Sequence, residues 1–79
     1  MKAIVTVMPK ADVLDPVGLA ISRALAALGF AGVGEVRAGK VIEVELSATD
    51  RSQALSAAQT MAEKLLANPV IESFSVEIA

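Results

Sequence analysis

The side chains able to carry out chemistry are few in this chain of 79 residues. There is no His and no Cys, which removes the usual general base near neutral pH, thiolate chemistry and the commonest zinc ligand. Glu43 and Glu45 lie two positions apart, so on a strand they share one face and could bind a metal or act as acid and base. The plainer interpretation of this pair is the solvated face of a strand.

Two cations, Arg37 and Lys40, flank Gly39. They could hold a phosphate or the carboxylate of a partner, or they could form a charged edge that discourages unwanted strand pairing. The glycines at 29, 32 and 34 follow a predicted helix and lead into a predicted strand. This order is the reverse of a nucleotide-binding loop, and no G-x-S-x-G nucleophile motif occurs.

Composition indicates an interaction protein. Hydrophobic residues make up 54% of the chain, above the usual share of roughly 45–50%. We therefore expect an exposed apolar face that oligomerisation covers. The net charge is −2 with both signs interleaved, which gives no footprint for nucleic acid. No membrane span or signal peptide is visible, so we expect one cytoplasmic domain over residues 1–79.

The first two elements have clear ends. Residues 2–8 are rich in β-branched side chains, are apolar on both faces and stop at Pro9, which predicts a central strand. Asp15 suits a helix N-cap and Pro16 the first helical position, while Gly29 suits the left-handed residue after the helix. The predicted helix over 16–28 carries one apolar stripe, formed by Val17, Ile21, Ala24, Leu25 and Leu28.

Alternation of apolar and polar residues runs from Val36 to Leu46 without a change of phase at Gly39. A two-residue hairpin would reverse the phase. The pattern therefore predicts either one strand of about 13 residues bent at Gly39 or a hairpin with an odd loop. A strand this long exceeds the usual five or six residues and would need pairing partners from another subunit.

A second helix opens at Asp50, its predicted N-cap, and ends at Asn68-Pro69. Its predicted apolar stripe is Ala54, Ala58, Met61 and Leu65. Residues 70–78 then form a last strand. The order β-α-β(β)-α-β predicts an α+β, two-layer sandwich in which two helices cover one face of an antiparallel sheet, a relative of the ferredoxin-like fold with a long bent second strand.

Four segments together resemble the PurS family, the small subunit of phosphoribosylformylglycinamidine synthase. They are residues 13–16 with Gly18, residues 28–30, residues 36–40 and, most specifically, Leu65-Leu66-Ala67-Asn68-Pro69-Val70-Ile71-Glu72. The resemblance covers essentially the whole chain. Val17 stands where a Gln is common in the family and Ala38 where a Val is common, and Val17 would weaken any polar role at that helix start.

The resemblance implies a non-catalytic subunit in de novo purine biosynthesis. Such a subunit forms dimers or tetramers and bridges a glutaminase subunit and a large synthetase subunit, supporting ammonia transfer between them. ATP, Mg and glutamine would bind the partner subunits, and this chain would hold no cofactor or metal. The expected partner contacts are Arg37, Gly39, Lys40, Asn68, Pro69 and Glu72, and the expected structural positions are Asp15, Pro16, Gly18 and Gly29. For the turn at Asn68, helix termination is the competing interpretation, with its side chain bonding the last helical carbonyls.

Two alternatives share the element order. An ACT-like regulatory module would bind an amino acid at a dimer interface and would need polar residues near Asp12 and Asp15 at the first helix. An acylphosphatase-like enzyme would need an Arg in the loop after the first strand, and residues 9–12 contain none.

Overall fold

A computed structural model describes all 79 residues. It contains three strands and two helices, and the second helix continues directly into a π-helical turn. The bounds are β1 Lys2–Pro9, α1 Pro16–Ala27, β2 Lys40–Glu45, α2 Arg51–Met61, the π-helical turn Ala62–Leu66 and β3 Glu72–Ile78.

The strands form one antiparallel sheet in the order β2-β1-β3. The first strand is central, as predicted, and its middle residue Val5 lies opposite Ile42 on one side and Val76 on the other. The α+β class and the ferredoxin-like arrangement are confirmed. The face of the sheet opposite α2 carries half-buried Ile4, Thr6 and Met8 and remains open.

The core lies between one face of the sheet and α2. Alternate residues of β1 point at the helix, and Ala3, Val5 and Val7 are almost completely buried. The helix meets them with a row of fully buried alanines at four-residue spacing, Ala54, Ala58 and Ala62. Alanine has no side chain beyond Cβ, so the helix backbone lies close to the sheet, and a bulky residue in this row would overfill the core.

The predicted stripe of the second helix needs a correction. Met61 and Leu65 are exposed, although the helical spacing predicted them beside Ala54 and Ala58. The amide of Ala67 bonds the carbonyl of Ala62, five residues back, over 2.9 Å. This wider π turn rotates Leu65 away from the sheet, which a 3.6-residue period does not anticipate.

Both helices begin and end close to the predicted residues. At α2 the Ser52 amide donates to the Asp50 carboxylate over 3.3 Å, which confirms the N-cap. At the end of α1, Gly29 adopts φ +92°. The amides of Gly29 and Phe30 then donate to the carbonyls of Ala26 and Leu25, both over 3.1 Å. This paired pattern is a Schellman motif, which satisfies carbonyls that the helix end would leave free.

The second strand is shorter than predicted. It spans six residues, Lys40–Glu45, and no strand or hairpin precedes it. Its ladder begins where Lys40 lies opposite Val7. Beyond that point β1 ends at Pro9, which has no amide to donate. Residues 33–39 therefore have no neighbouring strand to pair with inside the chain. Their alternation of apolar and polar residues, which predicted a long strand, is present without strand hydrogen bonds.

The first helix stands apart from the sheet. The prediction that two helices cover one face holds for α2 alone, because α1 makes only sparse contacts with the other elements. The molecule is consequently elongated, 49 × 24 × 15 Å, with a radius of gyration of 15.9 Å. A compact domain of this length would have a radius of about 12 Å. We call residues 16–35, which comprise α1 and the turn after it, the arm.

Candidate interaction surfaces

The arm exposes the apolar stripe that the helical spacing predicted. Leu28 is 74% exposed, and Val17 and Ile21 are exposed along the same side of α1. Leu14 and Phe30 extend this surface at the two ends of the helix. No element of the chain covers it, and an apolar surface this continuous is typical of an interaction site.

The contacts of Asp15 and Gly18 with residues 36–38, which we call the clasp, attach the arm to the rest of the chain. The amide of Ala38 donates to Oδ2 of Asp15 over 2.7 Å, across 23 residues of sequence. Gly18 is the one buried residue of α1. A Cβ on Gly18 would overlap the carbonyl oxygen of Val36 and would lie 2.7 Å from Oδ2 of Asp15. The helix start and residues 36–38 therefore fit together only because position 18 lacks a side chain.

The carboxyl group of Asp15 works differently from the prediction. Its backbone occupies the N-cap position, but its side chain makes no capping hydrogen bond to the helix and bonds Ala38 instead. The Ala38 hydrogen bond is the main reason that the pKa of Asp15 is lowered. The amides of Gly18 and Val17 and the charge of Arg37 lower this pKa further, while desolvation raises it. All of these effects except desolvation favour the charged carboxylate. An amino-acid ligand of the ACT-like kind would have to compete with Ala38 for it.

A groove of about 200 Å³ lies beside the clasp. Apolar side chains of Val13, Leu14, Leu19 and Val36 line it together with the polar side chains of Asp15, Ser22 and Glu35. The groove runs between the first half of α1 and the chain that crosses it, on the side of the helix away from the stripe of Val17, Ile21 and Leu28.

Arg37 and Lys40 lie near the end of the sheet where β1 finishes. Lys40 is exposed and opens β2, and Arg37 is half-buried beside the clasp. Neither has an acidic side chain within salt-bridge distance, since the single salt bridge of the chain joins Lys2 and Glu43 over 3.5 Å. Gly39 sits against the Val7 carbonyl and the sulfur of Met8, where a Cβ would overlap both.

The other predicted contact group is a closed turn. Oδ1 of Asn68 accepts from the Val70 amide over 3.1 Å, and the Asn68 amide donates to Oε1 of Glu72 over 2.7 Å. The prediction that the Asn68 side chain bonds the last helical carbonyls is wrong, because an Asn side chain readily bonds the backbone two residues ahead in a turn. Pro69 is exposed at its tip.

The register brings the two predicted contact groups to one end of the sheet. Lys40 lies opposite Val7 on one side of β1, and Glu72 lies opposite Pro9 on the other. The sequence does not indicate the exposed apolar side chains beside the second group, Leu65, Val70 and Ile71. For Leu65 the available signal was the run of three alanines at four-residue spacing, which marks the side of the helix that faces the sheet.

The carboxylates offer little chemistry. Glu43 and Glu45 are exposed on β2, with Glu43 bound to Lys2 in a surface pair, an arrangement worth about 0–1 kcal/mol. No group of three acidic, His or Cys side chains is placed to hold a metal ion. None of the helices has the length and apolar content that crossing a membrane requires.

The fold and these surfaces define a class of protein: a small α+β subunit whose apolar arm is left for another chain to cover. A family model described as PurS, phosphoribosylformylglycinamidine (FGAM) synthase, matches residues 2–79. The chain therefore belongs to the PurS family, and the resemblance seen in the sequence is confirmed.

Individual relatives agree with the family model. The phosphoribosylformylglycinamidine synthase subunit PurS of Synechocystis is 47% identical over 74 residues, which are 94% of this chain and 72% of that protein. The crystal structure of PurS from Methanocaldococcus jannaschii, described as one of the subunits of formylglycinamide ribonucleotide amidotransferase, matches with a TM-score of 0.85 at 38% identity, covering 96% of this chain and 92% of that one. A chain of the Thermotoga maritima PurLQS structure matches with a TM-score of 0.86 at 33% identity, over 96% and 93%.

Proposed function

We propose that this chain is the non-catalytic small subunit of a phosphoribosylformylglycinamidine synthase in purine biosynthesis. The uncovered arm is the observation that carries the proposal. The chain of 8.1 kDa has an accessible surface of 5421 Å². A compact monomer of this mass would expose about 4500 Å², so the chain exposes an excess of about 900 Å². A stable interface takes about 800 Å² from each partner, so the excess matches one such interface.

A second copy of the chain is the proposed cover of the arm. The apolar stripe of α1 supplies the surface to be buried, and residues 33–39 supply backbone groups that pair with no strand in their own chain. Two such segments can complete each other's ladders, because unpaired strand backbone readily pairs with another chain. Self-association, as a dimer or a tetramer, would thus extend the sheet past Lys40.

The larger subunits are the proposed second set of partners. The chain would bridge a glutaminase subunit and a large synthetase subunit and help ammonia pass between their sites. ATP, Mg and glutamine would bind those subunits, which supply the chemistry that this chain lacks. The cytoplasm, where these metabolites are available, is the proposed location.

The end of the sheet where β1 finishes is the proposed contact with the larger subunits. Arg37 and Lys40 offer positive charge with no acidic side chain of the chain bound to it. The turn formed by Asn68, Pro69 and Glu72 is already closed by its own hydrogen bonds, so binding would not have to order it. Ordering costs of this kind otherwise reduce affinity.

Charge reversal tests this contact. The double variant Arg37→Glu with Lys40→Glu should keep the fold and the self-association of the chain, yet bind the synthetase subunit at least about tenfold more weakly, because like charges would then face each other. Lys2→Glu with Arg51→Glu is the matched control, since Lys2 lies opposite Glu45 at the other end of the sheet and Arg51 is exposed at the start of α2, which follows that end of β2. Capture of the synthetase subunit at wild-type strength by the first variant would contradict the proposed contact.

A further inference from the structure

The arm is attached to the body of the molecule at few points. Apart from the covalent links, α1 makes only sparse contacts with the strands and with α2. The chain that returns from the arm is held at three places within four residues. Val36 lies over Gly18, Ala38 bonds Asp15, and Gly39 sits against Val7 and Met8.

These three contacts join different parts of the molecule. The first two bind the returning chain to the start of α1, and the third binds it to the end of β1. Residues 36–39 therefore form a packed link between the arm and the sheet. Because Arg37 lies within this link, the direction of its side chain depends on the same contacts as the direction of the arm.

We infer that Asp15 and Gly18 are positioning residues for assembly: together they lock the arm onto residues 36–39 in one orientation. The Asp15 carboxylate fixes the backbone of Ala38 by hydrogen bonding, and the missing side chain at Gly18 lets the Val36 carbonyl approach the helix. The role in assembly rests on the proposed function. The locking itself is a property of this chain alone.

The lock has a physical advantage for binding. An arm that is free to swing would have to be ordered at the moment of association, and that ordering lowers affinity. A locked arm presents its apolar stripe to a second copy and Arg37 to a larger subunit in a fixed mutual arrangement. Loss of the lock should therefore leave the sheet intact while weakening association.

Hydrogen exchange on the full-length chain tests the lock directly. Asp15→Ala removes the acceptor, and Gly18→Ala places a Cβ where the Val36 carbonyl lies. Each should speed amide exchange in α1 by about three- to tenfold and leave β1 and β3 unchanged. Asp15→Asn retains an acceptor oxygen and should restore most of the protection in α1.

Two matched controls accompany these variants. Asp12→Ala removes an exposed carboxylate from the same loop, and Arg23→Ala changes an exposed residue of α1 that lies on the side of the helix away from the apolar stripe. Neither should change exchange in α1. Equal exchange in α1 for Asp15→Ala and wild type would overturn the inference, and so would an equal acceleration in α1, β1 and β3, which would mean general destabilisation.

Self-association of the same variants separates the inference from the proposed function. Sedimentation should show weaker self-association for Asp15→Ala and Gly18→Ala than for the controls. If exchange in α1 rises and self-association stays at the wild-type value, the lock exists and the proposed use of the arm is wrong. If neither changes, the lock is wrong.

Discussion

Replacing Leu28 by Ser should separate copies of this chain without unfolding it. Leu28 closes α1 at the end of the apolar stripe and is 74% exposed. The folded chain therefore gains little from this side chain, whereas an interface that covers the arm would gain most of its burial.

The size of the effect follows from the exposed fraction. Complete burial of a Leu side chain stabilises by about 1.5–3 kcal/mol, and the 74% still exposed leaves about 1–2 kcal/mol of this for the interface. A two-fold dimer buries the residue twice, so the loss is about 2–4 kcal/mol. The dissociation constant should rise by about 30- to 1000-fold.

Sedimentation velocity over a concentration series is the assay. Leu65→Ser is the matched control, because Leu65 is 82% exposed but lies in the π turn after α2, away from the arm. Circular dichroism should show both variants folded. Wild-type self-association of Leu28→Ser, or a larger loss in Leu65→Ser, would refute the reasoning that the arm is the self-association surface.

Two further predictions concern the core and the clasp. Ala58→Leu should lower the free energy of unfolding by about 1–3 kcal/mol, because Ala58 is fully buried against the sheet and the helix cannot accommodate a larger side chain without moving. Chemical denaturation measures this loss, with Gln59→Leu at an exposed position of α2 as the control. Equal losses of stability in the two variants would contradict the packing. In an NMR titration Asp15 should lose its charge below the usual value of about 3.9, since the Ala38 amide lowers the pKa of its carboxyl. The stability that the carboxylate contributes is then complete above the unfolded-state pKa and is lost as the pH falls through the folded-state pKa; a midpoint at or above the usual value would show that the hydrogen bond does not form.

Local signals in the sequence were sufficient for much of the fold. Pro16 and Gly29 mark the two ends of α1 because one presets φ for a helix and the other tolerates a left-handed backbone. The Asp50 carboxylate marks the start of α2 because it accepts a hydrogen bond from a first-turn amide. The Asn68-Pro69 pair marks the end of the π turn because the residue before a proline avoids the helical region. The central position of β1 also followed from its own residues, since both of its faces are apolar.

The missing parts depend on contacts that no local pattern specifies. The stripe of α1 shows that this helix must be covered, but it carries no information on which chain covers it. The alternation around Gly39 is the same whether or not a neighbouring strand is present, so it could not limit β2 to six residues. The bond between Asp15 and Ala38 joins residues 23 positions apart, and the capping role of Asp15 was the nearer and simpler expectation.

Reconstitution of the synthase from separate subunits tests most directly whether this chain works by association alone. Glutamine-dependent formation of formylglycinamidine ribonucleotide should require this chain together with the glutaminase and synthetase subunits. Synthesis from free ammonia by the synthetase subunit should depend on the chain far less, and the chain alone should turn over nothing. An equal glutamine-dependent rate from the two large subunits without this chain would contradict the account.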